Sequence, residues 1–238
     1  GARQVLWISR LGVHKLTVWA LLKFLSKHIN DSTLSFQEYD GLKLAWKKIL
    51  GAYPNAIRST RHHAVQVAMM KILLEDALPH PHRNRIISGA TSGLAHDLGK
   101  GYSPEMIQAM NKPGIFTRED ELKFKFLHPL HSVTVLESLG LPETIVTNKM
   151  KKDILFHHPD YPHVDKRKIT RSGWSLHIAD IAVARHDHNR PLRQSRRIAV
   201  YELDPRRILV SLPCNKNAKL VNEVVARMIA SGNEEYFA

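Results

Sequence analysis

Seven side chains between positions 63 and 180 could together do metal chemistry: His63, His96, Asp97, His128, His157, His158 and Asp180. Five imidazoles and two carboxylates form the hard-to-borderline N/O donor set that holds Mn, Fe, Zn or similar ions where no thiolate is at hand. The one cysteine, Cys214, excludes an internal disulfide framework and a Cys-rich zinc module. The densest point is Leu94-Ala-His-Asp-Leu-Gly-Lys-Gly101, where an imidazole, a carboxylate and an ammonium fall within five residues of an otherwise apolar stretch. Adjacent His96 and Asp97 can both reach metal only if the backbone turns there, and Gly99 offers conformational freedom just after them. With two oxygens, Asp97 could bridge two ions, the other ligands dividing between them. Two ions roughly 3.5–4 Å apart can share a hydroxide nucleophile and clamp the charge of an in-line phosphoryl displacement. Lys100, beside that cluster, would neutralise a phosphate oxygen as a point cation. Asp180 lies within Ile178-Ala-Asp-Ile-Ala-Val183, and a carboxylate in an apolar helix is costly without a cation. The remaining histidines considered, His62, His80, His82, His131, His163, His177, His186 and His188, read as ordinary hydrogen-bonded or surface residues.

The elements that must position these groups are helical. Apolar spacing predicts helices over Leu16–Leu25, Tyr39–Leu50, His63–Leu78, Arg85–Leu98 and Ser103–Met110, with Pro79-His-Pro81 ending the third and Gly99 and Gly101 the fourth. Thr117-Arg-Glu-Asp120 has the form of a capping box opening a helix that runs into His128-Pro129, and another follows through Leu139. Helices are expected again over Glu143–Phe156, Gly173–Arg185 and Ala218–Ile229. Only near the end does the period change: Ile198–Leu203 and Ile208–Leu212 read as a hairpin turning at Asp204-Pro-Arg-Arg207. The expected architecture is all-α. An N-terminal helical layer (1–55) precedes a helical body with the site (56–197), and a small β-hairpin and helix appendage (198–238) follows.

Composition bounds the partners. Hydrophobic residues make up 43% of 238, ample for a core. No run of eighteen apolar residues occurs, so no membrane span is expected. The reading is a soluble protein, and the cysteine count fits the reducing cytoplasm. The chain opens Gly1-Ala2 rather than with Met, which leaves room for flanking sequence such as a regulatory domain. A formal charge of +13 favours anionic partners such as nucleotides, nucleic acid or acidic membrane surfaces. From Lys149 to Lys219 there are sixteen Lys and Arg against seven Asp and Glu, which is either a solvated basic face or a nucleic-acid surface.

Taken in order, these residues resemble the HD superfamily of metal-dependent phosphohydrolases, and within it the HD-GYP branch. That branch has a helix bearing His-Ser-x-x-Val-Ala, then HDIGK; here His63-Ala-Val-Gln-Val-Ala68 precedes His96-Asp-Leu-Gly-Lys100. Ser103-Pro-Glu-Met-Ile107 and Lys112-Pro-Gly-Ile-Phe-Thr117 resemble the connecting segment. His128-Pro129, His157-His158, Asp180 and Arg190-Pro-Leu-Arg193 resemble the later HP, HH, Asp and RPYR-like elements. The resemblance runs from about Arg61 to Arg193. It implies an HD-domain helical bundle in which His63, His96, Asp97 and Asp180 hold one ion while Asp97, His128, His157 and His158 hold the second. It further implies that Asp97 and Lys100 serve catalysis and that Lys100, Lys112, Tyr161, Arg190 and Arg193 meet the substrate. Fe or Mn are the expected ions, with Zn, Ni or Mg as other candidates. Two departures stand out. His157-His-Pro-Asp-Tyr-Pro162 is shorter than the HHExxDGxGYP loop and lacks its Glu and internal glycines, and Ser59 stands where three-metal members carry Glu, which implies two metals.

Three functions follow. The first is a dinuclear phosphodiesterase cleaving a cyclic dinucleotide, cyclic di-GMP or a relative, by attack of the shared hydroxide on phosphorus. The second keeps the metal centre and acts on single-stranded nucleic acid or nucleotides, as the basic C-terminal half and shortened loop would favour. The third is a non-catalytic nucleotide-sensing or scaffold module.

Overall fold

The computed structural model describes residues 18–29, 34–111, 126–159, 164–186 and 216–228, with Thr117 and Glu119. Among these residues there are nine α-helices and no strand. In chain order they are α1 (Val18–Ser26), α2 (Phe36–Gly51), α3 (Arg58–Ala77), α4 (Arg83–Ala95), α5 (Pro104–Asn111), α6 (His128–Ser138), α7 (Asn148–Leu155), α8 (Arg171–His186) and α9 (Lys216–Met228). The expected all-α architecture holds at this level. The hairpin read at 198–212 lies outside the described residues. The last helix buries Val221, Val224 and Val225 in the same core as the rest.

Helix α3 is the axis of the body. It is buried along most of its length, from His63 through Glu75, and α4, α8 and α1 pack around it. A helix apolar nearly all round must be central, because no face is left for water. The tightest crossing is with α4, where Gly93 lies so close to α3 that a Cβ would sit 2.6 Å from Ala68 Cα. Across the α3–α8 seam the contact is polar: Lys71 Nζ, fully buried, donates to Glu75 Oε1 at 2.7 Å and to Ser172 O at 2.8 Å, and also to Ser175 Oγ. Ser175 Oγ donates to Glu75 Oε1 at 2.6 Å. A buried charge is tolerable only when so surrounded.

The N-terminal helices close one side. Ser35 caps α2 with a full capping box, Glu38 N–H on Ser35 Oγ and Ser35 N–H on Glu38 Oε2. Buried Trp46 donates Nε1–H to Thr91 Oγ1 at 3.0 Å, and Tyr53 donates its hydroxyl to Leu94 O at 2.7 Å. Both bonds brace α4 just ahead of His96-Asp97.

Several helix boundaries differ from the sequence expectation: α2 begins at Phe36 rather than Tyr39, and α3 at Arg58 rather than His63. Helix α4 stops at Ala95 rather than Leu98, and a 3-10 turn, Leu98–Gly101, takes over. The helix expected from Glu143 begins only at Asn148: Thr147, in extended backbone (φ −81°, ψ 154°), accepts Met150 N–H and caps it. Ahead of the cap, Ile145 and Val146 N–H both return to Pro142 O as a turn.

Candidate metal centre

The turn after α4 places two adjacent side chains on one site. His96 keeps helical backbone as the α4 C-cap, and Asp97 shifts to φ −106°, ψ 7°, the sparsely allowed bridge region. Gly99 does not supply left-handed freedom as its position suggested; among the described glycines only Gly140 has positive φ. Its role is space. A Cβ there would lie 2.1 Å from His128 O and 2.6 Å from Ser132 N, so only glycine lets the turn lie against the start of α6. Ser132 Oγ fastens the contact, accepting Gly99 N–H at 2.8 Å and donating to His96 O at 2.7 Å.

Around this turn four elements deliver the rest: α3, the start of α6, the loop after α7, and α8. His63 from α3 meets Asp180 from α8, Nε2 to Oδ1 at 2.8 Å, and lies 3.8 Å from Asp97 Oδ2. His96 Nε2 lies 3.4 Å from Asp97 Oδ2 and 3.6 Å from Asp180 Oδ1. On the other side, His128 Nε2 is 3.3 Å from Asp97 Oδ1 and 3.2 Å from His157 Nε2. His158 completes that side, its ring centroid 5.0 Å from His128 and 4.1 Å from His157. Three donor triads each have ligand atoms within 4.8 Å of one another: His63-His96-Asp97, His96-His157-Asp180 and His128-His157-His158. All seven side chains named from the sequence therefore meet, and Asp97 faces both groups, one oxygen toward each.

The tautomers are set by the backbone. His96 Nδ1–H donates to Gly93 O at 2.8 Å and His157 Nδ1–H to Ile154 O at 2.6 Å, each from three residues on. A neutral ring so tied carries its lone pair on Nε2, the arrangement a metal-binding imidazole needs. His96 Nε2 faces two carboxylates, and neither it nor Asp97 Oδ1 has a hydrogen-bond partner of sound geometry although both are buried. Lone pairs and carboxylate oxygens converging in a dry site call for a cation between them. The donor set fits an ion.

Electrostatics divides the site. Burial opposes ionisation of Asp97, yet His96, Lys100 and His128 hold its carboxyl well below the ordinary range. Asp180, likewise against burial, is held well below by His63 and His96. Burial opposes the charging of His96 too, but Asp97 and Asp180 pull it upward. Three of the other imidazoles go the opposite way: burial pushes His128 down to about 4, and burial with neighbouring imidazoles takes His157 and His158 well below their usual value. One half is thus carboxylate-rich and the other a trio of neutral imidazoles, ligand-ready at pH 7.

Lys100 sits on Asp97, Nζ to Oδ2 at 2.6 Å, with its side chain 12% exposed. Lys112, Tyr161, Arg190 and Arg193 lie outside the described residues. Sequence reasoning passed over Ser132, whose hydroxyl no spacing marks, and His177, classed among ordinary histidines. His177 Nδ1–H donates to His157 O at 2.9 Å and so ties the His157-His158 loop to α8, three residues ahead of Asp180.

No family model, curated protein or solved structure matches the chain. No described helix is long and apolar enough to cross a membrane.

Proposed function

We propose that the protein is an HD-type metal-dependent phosphohydrolase with a dinuclear centre, acting as a phosphodiesterase on a cyclic dinucleotide. One observation carries the reading: Asp97 stands between a His63-His96-Asp180 group and a His128-His157-His158 group, with one carboxylate oxygen toward each. Two divalent ions, Fe or Mn in kind, would supply water activation and neutralise developing phosphoryl charge when bound. The chain's own residues do the rest. The carbonyls of Gly93 and Ile154 orient His96 and His157, Ser132 holds the His96-Asp97 turn on α6, and Lys100 brings a cation to the rim of the site, where it can shift to a substrate phosphate.

The test is elemental analysis of protein purified without chelator, followed by a panel of diesters in the metals found. Close to two equivalents of metal, linearisation of a cyclic dinucleotide, and loss of both in His96→Ala and Asp97→Ala are expected. Metal-free protein, or loaded protein inert on every cyclic dinucleotide, would defeat the proposal.

A second reading, single-stranded nucleic acid as substrate, is favoured by the exposed run Lys166-Arg167-Lys168 within the basic C-terminal half. Oligonucleotide affinity should then fall steeply with salt, because phosphate contacts release counterions. Salt-independent binding counts against it.

A further inference from the structure

The metal centre accounts for the phosphate of a nucleotide diester and leaves its bases unassigned; the inference below rests on that reading and names their seat. The turn that carries Lys100 ends at Tyr102, which does not return to the core but keeps 49% of its surface exposed. Its ring lies flat on His131 of α6, with centroids 4.1 Å apart and planes 6° from parallel. With an imidazole on one face and about half of its surface exposed, the ring can take a ligand on the surface that remains.

The backbone beneath it is rigid. Tyr102 N–H donates to Gly99 O at 3.1 Å, and Gly101 lies so tightly on Pro54 that a Cβ would come 2.5 Å from the ring's Cδ. Gly99 is itself tied to Ser132. Little order is therefore lost when something stacks there.

Position agrees with this. At a 3-10 rise of about 2.0 Å per residue, Tyr102 stands about 10 Å along the chain from Asp97, with Lys100 between them. On α6, His131 is one helical turn from the ligand His128. We propose that Tyr102, backed by His131, is the stacking platform for a nucleobase of the substrate whose phosphate Lys100 and the metal centre receive. Every base has a π-face, so such a platform accepts nucleotides with little sequence preference.

2-Aminopurine fluorescence, which is quenched on stacking, reads the contact directly. 2-Aminopurine riboside 5′-monophosphate is titrated into the full chain as purified, in wild-type, Tyr102→Phe and Tyr102→Ala forms; it has no diester to cleave, so the signal is independent of turnover. Wild type and Tyr102→Phe should quench saturably, and Tyr102→Ala should bind about five- to a hundredfold more weakly, the range for loss of one base–aromatic stack, at an unchanged melting temperature. Cyclic di-GMP and a short single-stranded oligonucleotide are then used as competitors, and displacement by either supports the platform and identifies the source of the base. Absence of quenching in wild type, equal affinity in Tyr102→Ala, or displacement by neither competitor overturns it. Metal content, measured separately, decides the dinuclear centre, so the two failures are distinguishable.

Discussion

Replacing Gly93 by alanine should weaken the fold and the metal centre together. A Cβ at Gly93 would come 2.6 Å from Ala68 Cα, 2.8 Å from Ala68 N and 3.1 Å from Val67 C. These are all backbone atoms of α3, so no side chain can swing aside. Carbon atoms need about 3.5–4.0 Å, so α4 has to move off α3 by about 1 Å. Alanine is favoured over glycine inside a helix by about 0.5–1 kcal/mol. Overpacking costs about 1–3 kcal/mol, and a clash against backbone belongs at the upper end. The net loss is about 2 kcal/mol, or about 4–8 °C in Tm for a chain of this size. Function should suffer as well, because Gly93 O holds His96 Nδ1–H and the gap opens between the two helices that bring His96 and His63 to Asp180. Loss of such a supporting contact typically lowers metal affinity about 10–100-fold. Gly41→Ala is the control: it lies within α2 with no atom inside 4 Å, and should gain about 0.4–1 kcal/mol at constant metal affinity. Thermal melts and Mn titrations on both variants decide the matter. A Gly93→Ala protein that melts at or above wild type and binds Mn with wild-type affinity would refute the idea that this close crossing sets His96 against His63.

Ser132→Ala should cost about 1–3 kcal/mol, because it strands the buried Gly99 N–H and His96 C=O, and denaturant melts should show this alongside weaker Mn binding. Added Mn or Fe at a hundred times its Kd should stabilise wild type by about 2.7 kcal/mol. Calorimetry should find that increment abolished by chelator and missing from His96→Ala, whatever the metal-free stability of the variant. Glu75 gives a pH prediction away from the ligands. Burial opposes its ionisation, but Lys71, Ser175 and Arg85 hold its carboxyl below the ordinary value of 4.5, so the folded state binds fewer protons there than the unfolded chain. Its stabilisation is complete above that value and is lost as pH falls through the folded pKa. Unfolding followed from pH 7 to pH 3 should show a shallower acid limb in Glu75→Gln, whose neutral side chain also lowers stability at pH 7 by leaving Lys71 short of a counter-charge. An identical acid limb would show that Glu75 is not held low.

The cluster of candidate ligands was legible in the sequence because it is chemically expensive. A carboxylate within Ile178-Ala-Asp-Ile-Ala-Val183, or a His-Asp pair after an apolar helix, has no reading as simple core, and all seven residues converge. The helices were legible for the same reason their faces are apolar, while ends were not. Arg85–Leu98 reads as continuous by periodicity, yet α4 stops at Ala95, since the turn's stability comes from Ser132 on a distant helix. Gly99 shows the same gap between local and tertiary causes. Sequence alone offers backbone freedom as the reason for a glycine, and only the packed structure reveals a carbonyl 2.1 Å from where a Cβ would stand. Lys71 and Glu75, four residues apart on α3, would pass for an exposed helical ion pair. Their burial follows from α8 covering them with Ser172 and Ser175, a pairing a hundred residues away in sequence. What a sequence hides here is the second tier: the carbonyls, hydroxyls and close approaches that orient the ligands. These groups bear on the choice of ion, because one that aims Nε2 of His96 and His157 inward also fixes how far each imidazole can travel. The response of metal affinity to Ser132→Ala therefore reports on whether the site is held rigidly by the fold or is gathered by the ion itself.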